Sequence, residues 1–182
     1  MVKTTNTYAI ALTFSENIDN LFERLRTDYQ QDIAYTIVPH ITLVNTFAPV
    51  FSVFQVNEQL EKVAKRTRQF EVILNSIKFF ENGNKVVYAA LQYTRPVKKL
   101  QTDIVKSLDG LIKEWRTDEK YTPEKLVPHV TIGGKIPANK FPAIKKRFSR
   151  ITLHYEEQIT FFSLFTVENG NWTRTRVFNL VE

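Results

Sequence analysis

Two of the three histidines in this 182-residue chain occupy one repeated setting. Val38-Pro39-His40-Ile41-Thr42 and Val127-Pro128-His129-Val130-Thr131 are each followed by an aliphatic residue, Leu43 or Ile132, and the histidines stand 89 positions apart. Unperturbed imidazole titrates near pH 6.5, so at neutral pH one ring can accept a proton while a second donates one. Two such rings facing each other across a cleft suit phosphodiester chemistry. The neutral ring removes a proton from water, and the charged ring delivers one to the leaving sugar oxygen. Each role typically contributes about 10²- to 10⁴-fold in rate. The hydroxyls of Thr42 and Thr131 can donate to non-bridging phosphate oxygens, where charge builds in the transition state.

The same residues make a poor metal set. Zinc prefers three or four nitrogen, sulfur or carboxylate ligands, and no carboxylate stands at matching spacing beside either motif. The chain has no cysteine, which excludes disulfides, thiol catalysis and cysteine-ligated zinc, and fits a reducing compartment. The expectation is chemistry without a metal or other cofactor.

What must position these groups is a strand. Residues i and i+2 of a strand share a face, so His40 and Thr42 point one way while Ile41 and Leu43 point the other. His129 and Thr131 stand in the same relation to Val130 and Ile132. Proline cannot donate to a ladder and belongs at a strand start or edge, which puts each histidine at the entry of its strand.

Around the motifs the chain repeats itself in order: strand, helix, V-P-H-x-T, helix, strand, E-N-G-N turn, strand. The turns are Glu81-Asn82-Gly83-Asn84 and Glu168-Asn169-Gly170-Asn171, and Asn-Gly favours tight hairpins. Thr7 to Leu12 resembles Val87 to Leu91, so one strand can close the first unit and open the second. The reading is one two-lobed domain over 1–182, with units of about 5–94 and 85–182 related by a pseudo-twofold. The fold class is α+β, with antiparallel sheets flanking a central groove and helices packed outside. Expected strands cover 8–14, 70–80, 86–93, 160–167 and 172–181. Expected helical stripes are Leu21, Phe22, Leu25 and Tyr29; Phe54, Val56, Leu60 and Val63; and Val97, Leu100, Ile104, Leu108, Leu111, Ile112 and Trp115. A short basic helix covers 142–148.

Composition is that of an ordinary globular domain, with 43% hydrophobic and 24% charged residues. Its apolar runs are far shorter than the roughly 20 residues a membrane helix needs. The N-terminus lacks a signal-peptide cleavage pattern. The expectation is a cytoplasmic monomer. The formal charge of +6 and pI near 9.5 favour anionic ligands such as phosphate esters or RNA, although charge of this size also serves solubility alone.

Secondary candidates carry two readings each. Phe47 could stack on a base or pack in the core. Trp172, Arg174 and Arg176 alternate along the last strand, as an aromatic and basic lip for nucleotide or as hairpin surface. Lys145, Lys146, Arg147 and Arg150 form a basic cluster that guides RNA or is simply solvated. His154 stands outside any repeat and takes no role.

His40-Ile41-Thr42-Leu43 and His129-Val130-Thr131-Ile132, half a chain apart, resemble the paired signatures of the 2H phosphoesterase superfamily. That superfamily includes the RNA 2',3'-cyclic phosphodiesterases, also called 2',5'-RNA ligases. The layout, with V-P-H-V-T and the late Glu168-to-Trp172 turn, is similar to its bacterial YjcG-like branch. The resemblance implies a two-lobed α+β fold and a metal-independent reaction on 2',3'-cyclic phosphate ends or 2',5' linkages of RNA or nucleotides. Both histidines would be acid and base, and both threonines phosphate ligands. One departure stands out: relatives often carry arginine shortly after the second motif, where this chain reads Gly133-Gly134-Lys135. Lys135 can supply a point charge there but not arginine's planar fork. Beside this reading stand a nucleotide- or RNA-binding module with little turnover, and an interaction module in which the repeated motif is structural.

Overall fold

The computed structural model describes residues 7–27, 38–114 and 127–182. Tyr29, the approach to the first motif from Ile33, Trp115 and the loop to Pro123 lie outside them. In chain order the elements are β1 (Thr7–Thr13), α1 (Glu16–Thr27), β2 (His40–Pro49), α2 (Val53–Ala64), β3 (Phe70–Phe80), β4 (Lys85–Leu91), α3 (Arg95–Ser107), β5 (Ile112–Glu114), β6 (His129–Ile136), α4 (Phe141–Phe148), β7 (Tyr155–Ile159), β8 (Phe161–Glu168) and β9 (Asn171–Asn179).

The strands form two antiparallel sheets, ordered β5-β2-β1-β8-β9 and β6-β4-β3-β7. The two motif strands pair with the two strands that resemble each other: β2 lies on β1 and β6 on β4. The partners beyond them cross the chain. β8 and β9, from the C-terminus, complete the sheet begun by β1 and β2, whereas β3 and β7 complete the sheet of β4 and β6. Neither sheet is therefore built from one half of the sequence.

Both sheets bury one face in a shared core. Ile41, Leu43, Val130 and Ile132 are fully buried there, with Ile10, Leu12, Leu60 and Leu164. Helix α1 sits between two strands of the first sheet in sequence but is bound to the edges of the second. At its start, the Ser15 amide donates to Glu157 on β7 (2.8 Å), and at its end Arg26 reaches β6. Ile18 and Phe22 are buried between those ties. No described helix is long and apolar enough to cross a membrane.

Two local expectations are corrected, and one strand is added. The third helix stops at Ser107 rather than running on through Ile112 toward Trp115, because Gly110 turns the chain at φ +72° and Ile112–Glu114 pairs with β2 as a strand. Phe54 is exposed, so the buried stripe of α2 is Val56, Leu60, Val63 and Ala64. Finally, β7 is a strand with a charged sequence, Tyr-Glu-Glu-Gln-Ile, at a sheet edge, where no alternating apolar pattern is needed.

Candidate active site

Both histidines open their strands, each directly after a buried proline. His40 pairs with Thr13 and Thr42 with Ala11; His129 pairs with Ala90 and Thr131 with Tyr88. Histidine and threonine thus share a face in each copy, opposite the buried aliphatics. Immediately afterwards each ladder slips by one residue. Ala11 faces Thr42 but Ile10 faces Val44, leaving Leu43 extra; Tyr88 faces Thr131 but Val87 faces Gly133, leaving Ile132 extra. The aliphatic residue after each H-x-T is a β-bulge, which sharpens the local twist.

The two rings are held alike. His40 Nδ1 lies 2.8 Å from the Val38 carbonyl and His129 Nδ1 lies 2.7 Å from the Val127 carbonyl. A carbonyl only accepts, so in each neutral ring Nδ1 carries the hydrogen and Nε2 is the basic nitrogen. The rings are close enough for their charges to interact.

Their surroundings differ. His40 is only 6% exposed, and the Trp172 ring lies over it at 4.7 Å between centroids and 34° between planes. Burial pushes His40 from its ordinary 6.5 down to about 4; the bond to Val38 opposes this, and the charges of His129 and Arg26 add to it. His129 is half-buried, edge-on to Phe80 (5.0 Å) and Tyr88 (5.1 Å), which stack on each other. Burial lowers His129 as well, against its bond to Val127. The expectation of one charged ring at neutral pH is therefore revised. Without a bound anion, both rings favour the neutral form.

The secondary candidates separate. Phe47 is fully buried against Tyr8 at 6.0 Å, a core residue rather than a stacking surface. Trp172 and Arg174 share a face, and Arg174 donates to the Thr13 hydroxyl (2.9 Å), beside His40 in the ladder. Arg176 does not join them. A bulge leaves Thr175 extra between the pairs Phe165–Arg174 and Leu164–Arg176, so Arg176 turns to the other face and meets Glu61 of α2 at 3.5 Å. Lys135 is exposed at φ +55°, beyond the second bulge. Lys145 is paired with Glu81 and His154 with Glu156.

Two residues were missed by the sequence reading. Lys78 is exposed on β3 opposite Tyr88, on the face that carries His129 and Thr131. Arg26 donates from Nε to the Ile132 carbonyl (2.9 Å) and from an Nη to the Thr131 carbonyl (3.0 Å). Strand alternation would have flagged Lys78 once the β3–β4 register was known; nothing local to α1 points to β6. Among the described residues, no group of three or more His, Asp or Glu is placed to hold a metal ion. What converges here is imidazole, hydroxyl, aromatic and cationic.

Comparison with known proteins bears on the family and the fold. Residues 14–170 match the family model of the 2'-5' RNA ligase superfamily. An Oceanobacillus iheyensis protein named "Putative phosphoesterase OB1230" is 28% identical over 176 residues, covering 95% of this chain and 97% of its own. The fold is shared with E. coli LigT, crystallised with 3'-AMP (TM-score 0.68, 14% identity, 98% of this chain and 99% of that one). It is shared equally with TT0787 of Thermus thermophilus (TM-score 0.71, 16% identity, 96% and 97%). With both H-x-T strands inside the matched span, the chain belongs to the 2'-5' RNA ligase superfamily of 2H phosphoesterases.

Proposed function

We propose that the protein is a metal-independent phosphodiesterase that opens 2',3'-cyclic phosphate ends, or cleaves 2',5' linkages, of RNA or nucleotides. The observation that carries this reading is the twofold recurrence of one device. In each motif a strand-entry histidine has its Nδ1–H fixed by the carbonyl two residues back, which makes Nε2 the basic nitrogen, and a threonine shares its strand face.

The chemistry follows from the difference between the rings. His40, more deeply desolvated, stays neutral and is the base: its Nε2 takes a proton from water as the water oxygen bonds to phosphorus. His129, more open to solvent, takes up a proton when an anionic phosphate enters, since a nearby negative charge favours the imidazolium. It returns that proton to the ribose oxygen as the phosphorus–oxygen bond breaks. Solvent exchange then resets both rings. Thr42 and Thr131 donate to the non-bridging oxygens.

The test is turnover of 2',3'-cyclic nucleotides and 2',5'-linked oligonucleotides with chelator present, with products separated by chromatography. The wild type should give a phosphomonoester from at least one class. His40→Ala and His129→Ala should each lower kcat by about 10²- to 10⁴-fold, the usual worth of one general acid or base, while circular dichroism stays unchanged. Full activity in both variants, or binding without any product from the wild type, overturns the assignment.

A further inference from the structure

The bulge after the second motif has an effect on its edge. In a regular strand successive carbonyls point to opposite sides, so two neighbours cannot serve one donor. The extra residue Ile132 breaks that alternation, and the carbonyls of Thr131 and Ile132 converge on Arg26 at 3.0 and 2.9 Å. Among the described residues β6 is the edge strand of its sheet, with no ladder partner on this side. A guanidinium fits two adjacent acceptors because its N–H groups form a rigid planar fork; a lysine ammonium is a point donor.

Arg26 also stands on the element that joins the two halves of the site. α1 follows β1 and precedes β2, the His40 strand, yet it is tied to the second sheet at both ends, through Glu157 on β7 and through the carbonyls on β6. Face contact with the Phe22 ring, 5.7 Å from the guanidinium carbon, steadies the side chain from its own helix. The bond it makes at Thr131 falls two residues from His129 and on the residue whose hydroxyl the reaction uses.

We propose that Arg26 is a positioning residue for the reaction: its fork clamps the bulged end of the His129 strand to α1 and so sets the spacing of the two imidazoles. The inference rests on the reading of His40 and His129 as the acid–base pair. It also answers the missing arginine after the second motif, because a guanidinium is delivered to the same strand from another element. Among the described residues, charge or stacking reaches His40 from His129 on β6, from Arg26 on α1 and from the uncharged Trp172 ring on β9. Arg174 lies beyond Thr13. Arg26 is thus a permanent cation that acts on His40 from outside its own strand.

Two variants separate geometry from charge. Arg26→Lys keeps the charge and loses the fork; Arg26→Ala loses both. Both should lower kcat on the responsive substrate by about 10²-fold, the scale of a misplacement near 1 Å, with KM changing far less. Only Arg26→Ala should also move the acidic limb of kcat/KM upward, since removing a neighbouring positive charge lets His40 protonate more readily. A mere edge-covering role would lower the melting temperature and leave kcat and the pH limb of the folded enzyme alone, and that result overturns the proposal. If Arg26→Ala does not fold, wild-type kcat in Arg26→Lys overturns it. If the wild type turns over nothing, the functional reading falls separately. The clamp is then judged by NMR of the histidine rings: an altered His129 ring shift in Arg26→Lys sustains it, and unchanged spectra end it.

Discussion

Desolvation, rather than a charged partner, governs both imidazoles, and this ties activity to stability. His40 has its folded pKa lowered from 6.5 to about 4. Above pH 6.5 folded and unfolded chains both carry it neutral, so unfolding takes up no proton there. Between about 4 and 6.5 the unfolded chain binds a proton that the folded ring refuses, so stability falls as pH drops through that window. Below about 4 the loss is complete, and for this buried ring it amounts to roughly 3 kcal/mol. His129 adds a contribution of the same sign. Urea unfolding at pH 7 and pH 4.5 should therefore show a smaller loss of stability in His40→Gln than in the wild type. Equal losses would mean that His40 is not desolvated in solution and that Trp172 does not cover it.

At the scale of elements, the two E-N-G-N hairpins do unequal things with one turn. Gly83 and Gly170 sit at φ +70° and +83°, a region that only glycine enters cheaply, and a methyl group at either would touch nothing within 4 Å. Alanine there should cost about 1 kcal/mol of backbone strain and no clash. The β3–β4 hairpin sets Phe80 against His129 just before its turn, whereas the β8–β9 hairpin sets Trp172 against His40 just after its turn. Gly83→Ala should perturb the NMR resonances of the His129 ring and Gly170→Ala those of the His40 ring; one pattern shared by both variants would refute this division of labour. The turns, most of the strands and the paired histidines were legible because period-two apolar patterns and Asn-Gly are local signals; β5, inside a helical stripe, and β7, with its charged sequence, were not. Bulges were not legible. Leu43 and Ile132 read as ordinary core residues, and the extra residue Thr175 moves Arg176 off the face that strict alternation gives it beside Trp172. The end of α3 was carried past Gly110 for a related reason: an apolar stripe continued in sequence after the backbone had turned.

At the scale of the molecule, the site depends on contacts between distant parts of the chain. Each sheet draws strands from both halves of the sequence, and α1 bridges them. Arg26 reaches the His129 strand over 105 positions and Trp172 reaches His40 over 132, a relation no local pattern encodes. Charge is distributed in a comparable way. Several cations are already matched, among them Lys99 with Asp103, Lys145 with Glu81 and Arg176 with Glu61. Lys78, by contrast, lies exposed on the His129 face, one strand beyond Tyr88. The net +6 should therefore act on a nucleic acid mainly where its backbone passes this face. A single-stranded ligand gives a slope of about −0.7 in log affinity against log salt for each phosphate neutralised. Raising salt from about 50 to 200 mM should weaken binding of an oligonucleotide that spans three such contacts by roughly tenfold or more, and of a cyclic mononucleotide by less than about threefold. Lys78→Ala should reduce the oligonucleotide slope by about one contact and leave the mononucleotide slope unchanged. Identical slopes for the two ligands would show that the protein grips the phosphate at its histidines alone, and that the basic surface serves solubility.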